Sequence, residues 1–88
     1  MHKASEFATW PAFVDEAAKI TGLPLTAESG DFLILASPDV DSLARTEFAV
    51  FLFSEFGLDL LDSGRMAEAA SSSLSDLHLA GQATMREL

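Results

Sequence analysis

A serine with a carboxylate at its side, Asp41-Ser42-Leu43, opens the most strongly patterned segment of this sequence. A serine becomes a nucleophile when a base takes its proton. Neither histidine of the chain, His2 or His78, lies near Ser42 in sequence. The sequence thus shows no means by which Ser42 would become a nucleophile on its own, and modification by another enzyme is the chemistry left open to it. A phosphate group on its oxygen would sit in the positive field of a helix N-terminus. The tripeptide alone reads first as an ordinary capping serine.

Other chemistry is scarce. His2 reads as an exposed terminal residue and His78 as a surface or boundary residue of the last helix. No His-x-x-x-His spacing occurs, so no zinc site is expected. Asp39, Asp41 and Glu47 cluster around a helix start, where capping and the helix dipole account for them. Asp59 and Asp62 read as turn acids. No segment carries the alternating acids and glycine of a calcium loop, and there is no glycine-rich phosphate loop. With Cys 0, the chain has no disulfide, no thiolate and no cysteine-ligated metal. An enzyme is not expected.

The elements that position Ser42 follow from periodicity. Trp10, Phe13, Val14, Ala17 and Ile20 recur at helical spacing, with Thr9 as the N-cap and Gly22 and Pro24 as the stop. Trp10 reads as a core anchor, and Ser5 to Ala8 can add a frayed turn that Pro11 would kink. Residues 23–40 are punctuated by Pro24, Gly30, Ser37 and Pro38. Phe32-Leu33-Ile34-Leu35 lies inside them without a strand partner, so a long connection capping the core is expected. Asp41 caps a helix that runs to Gly57. Phe48, Phe51, Leu52 and Phe56 share one stripe with Glu55 at its edge, and Leu43, Thr46, Val50 and Phe53 lie on another face. Arg65 to Ala70 make a short helix. Ser73-Leu74-Ser75-Asp76 resembles a capping box that opens a last helix, in which Gly81 marks close packing.

These pieces predict one all-α domain over residues 1–88. It is a small four-helix bundle with a long loop between helices 1 and 2 and a short third helix. Hydrophobic residues make up 49% of the chain, too many for a disordered acidic segment. Fourteen acids against five bases leave a formal charge of −9. That balance argues against nucleic acid as a partner and in favour of a basic patch. No apolar run reaches the ~20 residues of a membrane span. Met1-His2-Lys3-Ala4-Ser5-Glu6 does not read as a secretory signal, so a free-standing cytoplasmic protein is expected.

Asp41-Ser42-Leu43, followed by Glu47 and then by Glu55-Phe56-Gly57, resembles the second helix of acyl carrier proteins. The order of elements, the acidity and the absence of Cys agree, over about residues 6 to 86. The approach Ser37-Pro38-Asp39-Val40 lacks the glycine usual in the family. Val50-Phe51-Leu52-Phe53-Ser54 stands where the family is rich in Glu. Both point to a carrier of a specialised pathway, and Asp41 leans toward acyl rather than peptidyl cargo.

The resemblance implies a covalent 4′-phosphopantetheine on Ser42, beside Asp41, placed there by a phosphopantetheinyl transferase. Acyl groups would ride on the arm as thioesters. They would pass between acyl-loading and acyl-processing enzymes with basic docking patches, in fatty-acid, polyketide or related biosynthesis. Leu43, Glu47, Val50 and Phe53 would meet those partners. Phe53 has a second possible place, packed under the loop 23–40 or against the last helix. Phe48, Leu52, Phe56 and Met66 are candidates to shelter an acyl chain. The alternative is an unmodified, carrier-like helical interaction protein.

Overall fold

The computed structural model describes residues 6–86, and His2 lies outside them. Four α-helices follow in order: α1 (Trp10–Thr21), α2 (Ser42–Phe56), α3 (Ser63–Ala69) and α4 (Leu74–Arg86). Among the described residues there is no strand, and the four-helix expectation holds. Among the described residues no helix is long and apolar enough to cross a membrane.

Local chemistry sets the helix ends. Gly22 stops α1 in the left-handed region at φ 73°, and its N–H donates to the Ala18 carbonyl at 2.8 Å. Thr9 stands at the N-cap position without a side-chain capping bond, and its hydroxyl donates to the Glu6 carbonyl. The turn before it, Glu6–Ala8, is a separate 3-10 turn. Pro11 therefore falls in the first turn of α1 and kinks nothing. Asp62 caps α3, its Oδ1 accepting from the N–H groups of Gly64 and Arg65. That cap starts α3 at Ser63, two residues before the start expected at Arg65. Ser73 and Asp76 form the reciprocal capping box: the Asp76 N–H donates to Ser73 Oγ at 3.1 Å, and the Ser73 N–H to Asp76 Oδ2 at 3.2 Å.

The long connection is fastened rather than free. The indole Nε1 of Trp10 donates to the Ala27 carbonyl at 2.9 Å, and the Leu74 N–H donates to the Phe32 carbonyl at 2.8 Å. A 3-10 turn, Ser29–Asp31, packs against α4. Ile34, Leu35 and Val40 are buried and close the core from this side.

Aromatic rings dominate that core. The Phe13 ring lies 6.0 Å from Phe48 and 5.8 Å from Phe56 between centroids, and all three residues are fully buried. Phe56 presses onto α4 at Gly81, where a Cβ would lie 2.9 Å from the Phe56 Cγ. Only a residue without a side chain allows this approach.

His78 is buried rather than at the surface. Leu74, Leu77, His78 and Gly81 follow the i, i+3, i+4, i+7 spacing of α4's inward face. The imidazole sits 4.6 Å from the Phe13 ring and 5.4 Å from Trp10. Its Nε2 lies 3.2 Å from the Phe7 carbonyl oxygen, so Nε2 carries the proton it donates. One turn on, the Gln82 amide donates to the Ala8 carbonyl at 2.7 Å. Together these bonds tie the N-terminal turn to the last helix.

Candidate functional site

The start of α2 is assembled by two residues of its own first turns. Asp41 is extended, with ψ 173°, and its Oδ1 accepts from the Ala44 N–H at 2.8 Å. Its carbonyl accepts from the Arg45 N–H at 3.0 Å. The Arg45 side chain then turns back, and its Nη2 donates to the Val40 carbonyl at 2.8 Å. Val40 is fully buried, and its N–H donates to the Ser37 carbonyl at 3.2 Å. Arg45 thus holds the carbonyls of both residues before Ser42.

Ser42 itself is exposed at the first helical position. Its carbonyl accepts from the Thr46 hydroxyl at 2.9 Å. Asp39, Asp41 and Glu47 are exposed around this end. Arg45 is half-buried and is the cation nearest to Ser42 in sequence. Sequence reasoning did not single out Arg45. A cation three residues after the serine, within an otherwise acidic stretch, was the available signal.

The helix separates its two apolar faces. Phe48, Ala49, Leu52 and Phe56 are fully buried, and Phe51 is half-buried beside Phe7, at 5.1 Å between rings. Leu43 is 68% exposed, Val50 45% and Phe53 50%, with Thr46 and Glu47 also exposed. Leu43, Glu47, Val50 and Phe53 therefore reach solvent along one helix. At the far end Gly57, at φ 77°, closes the helix, its N–H donating to the Phe53 carbonyl at 2.9 Å.

The candidates for sheltering a chain are placed differently. Phe48, Leu52 and Phe56 are inside the core, and Met66 is half-buried and packs against it. An open cleft of about 410 Å³ lies beyond the C-terminal end of α2, against α3 and α4. Leu60, Ala69 and Leu77 give it apolar walls, and Asp59, Arg65 and Glu68 give it charge. None of Phe48, Leu52, Phe56 or Met66 lines it. Among the described residues no group of three or more His, Cys, Asp or Glu could hold a metal ion.

No protein-family model, no curated protein and no solved structure matches this chain.

A helix leaves the N–H groups of its first turn without intrahelical partners, and Asp41 Oδ1 takes that of Ala44. An anion on the Ser42 oxygen therefore meets the positive end of a 15-residue helix.

Proposed function

We propose that this protein is an acyl carrier whose Ser42 receives 4′-phosphopantetheine from a phosphopantetheinyl transferase. The observation that carries the reading is the exposed serine at the first position of a capped helix, with a second, solvent-facing apolar stripe running along that helix. When attached, the arm supplies the thiol on which acyl groups are held as thioesters, a thiol that a chain with Cys 0 does not have.

The protein's own residues present the serine. Asp41 and Arg45 bond the backbone at the helix start, so Ser42 is offered to the transferase from a capped helix end. Fixing the cargo near a partner's catalytic groups removes much of the entropic barrier to reaction. Leu43, Val50 and Phe53 offer apolar contact to partner enzymes, and Glu47 with the net charge of −9 favours partners with basic borders. Phe53 is a large aromatic at the far end of that stripe, the residue type enriched among interface anchors.

The test is incubation with coenzyme A, Mg²⁺ and a broad-specificity transferase, followed by intact-mass analysis. One phosphopantetheine per chain is expected, and none on Ser42→Ala, whose helical circular dichroism stays nearly unchanged. Addition that persists in Ser42→Ala moves the attachment elsewhere. No addition to the unaltered chain leaves the reading of an unmodified helical interaction protein.

A further inference from the structure

We infer that Arg45 is the positioning residue that presents Ser42 for modification, doing with a side chain what a preformed turn would otherwise do. This inference rests on the carrier reading above. The segment that enters α2, Ser37-Pro38-Asp39-Val40, contains no glycine, and none of its residues takes a left-handed conformation. It is held from the other side. The backbone N–H of Arg45 bonds the Asp41 carbonyl at 3.0 Å, and its Nη2 bonds the Val40 carbonyl at 2.8 Å. The two peptide groups before Ser42 are thereby tied to one residue a turn further on.

The guanidinium is only partly in solvent. Its Nε is buried and makes no hydrogen bond, although buried N–H groups are ordinarily paired. A surface arginine kept for solubility or for long-range attraction would leave that N–H in water. Here the side chain folds inward against the Val40 carbonyl, and the contact made by Nη2 is the one that holds it. With that contact, Val40 is locked by its buried side chain, by its N–H to Ser37 and by its carbonyl to Arg45. Asp41 follows in the extended conformation that lets Oδ1 reach the Ala44 N–H. Loss of the Arg45 clamp releases the Val40 carbonyl, the one of these three ties next to Asp41, and with it loosens the cap and the direction of Ser42.

Charge alone predicts the opposite sign. Replacing Arg45 by a neutral residue makes an acidic chain one charge more acidic. That strengthens attraction to any partner with a basic patch. A clamp, by contrast, predicts weaker capture by the transferase. A partner that binds only the ordered start sees an affinity reduced by the fraction of molecules in that state.

The experiment compares the full chain with Arg45→Ala, Arg45→Gln and Arg45→Lys. Amide hydrogen exchange is read at Ala44 and Arg45, and steady-state kinetics of Ser42 modification are measured with coenzyme A and the transferase. Arg45→Ala is expected to speed exchange at both amides and to raise KM for the carrier roughly tenfold with little change in kcat. Arg45→Lys keeps a donor for the Val40 carbonyl and restores most of both. Arg45→Gln keeps a neutral donor and recovers part of the loss. Unchanged exchange and unchanged KM in Arg45→Ala overturn the inference, as does a lower KM, which would make Arg45 only a charge. The exchange arm needs no modification to occur. A chain that is never phosphopantetheinylated therefore defeats the carrier reading, while the exchange data still decide whether Arg45 holds the helix start.

Discussion

The two faces of α2 are built from the same kinds of residue and have opposite fates. Phe48, Leu52 and Phe56 are fully buried, whereas Leu43, Val50 and Phe53 stand in solvent at 68%, 45% and 50% exposure. Hydrophobicity does not separate them, since each face carries phenylalanine and an aliphatic residue. What separates them is the supply of partners. Phe13 of α1, Gly81 of α4 and the closing residues Ile34 and Val40 all meet the first face. One small domain has a single core, and it is complete without the second face. An apolar stripe left over after the core is filled is what a binding surface requires.

The comparison breaks most visibly on the buried side. Phe56→Ala removes a ring that touches Phe13 and Phe51 and rests on Gly81. A loss of about 3–5 kcal/mol in urea unfolding is expected, the scale of a phenylalanine truncated in a core. A loss below about 1 kcal/mol would mean that Phe56 is not the keystone its burial indicates.

Gly81→Ala sharpens the same contact from the other helix. Two effects compete there. Alanine improves helix propensity by about 1 kcal/mol over glycine, but its Cβ would sit 2.9 Å from the Cγ of a ring that has no exposed side to retreat to. Overpacking costs about 1–3 kcal/mol, so a net loss of roughly 1 kcal/mol is expected. A gain in thermal midpoint would show that α2 and α4 can separate at this point.

On the exposed side the same test should read near zero. Phe53→Glu is expected to change stability by no more than about 0.5 kcal/mol, as for other surface substitutions. If Ser42 carries phosphopantetheine as proposed, its modification should be retained. Acyl loading by the cognate partner should fall roughly tenfold, the scale of one interface anchor. A stability loss above about 2 kcal/mol would put Phe53 with the core residues and erase the distinction between the faces.

Much of this organisation was legible in the order of residues. Gly22 and Gly57 end helices where left-handed backbone is needed, and both adopt it. Asp41 and Ser73 cap the helices they precede. These are short-range facts, set by side chains reaching backbone groups two to four residues away, and a local pattern suffices to read them. The stripe of Phe48, Leu52 and Phe56 was legible for the same reason, because helical spacing brings those residues to one face. Ser42 was legible as the start of that helix.

Three features depended on the tertiary structure. His78 lies inside because Trp10, Phe13 and Phe56 enclose it, and the Phe7 carbonyl accepts its Nε2 proton from 71 residues away. The i+4 spacing from Leu74 puts His78 on the inward face of α4, but only the rings and the carbonyl brought in from other segments close over it. Arg45 reaches backward to the Val40 carbonyl because Val40 is pinned in the core, which only the packed connection establishes. Phe53 faces solvent although a long loop was available to cover it, because that loop is spent elsewhere: Ile34, Leu35 and Val40 cover the core, and Trp10 and Leu74 hold its backbone. Sequence by itself determined the helices, their ends and the place of the serine, since those rest on contacts within a turn. Which apolar face became core, and which side chain came to hold the serine's approach, was decided by the packing of segments distant in the chain, because burial is a property of the whole assembly of helices.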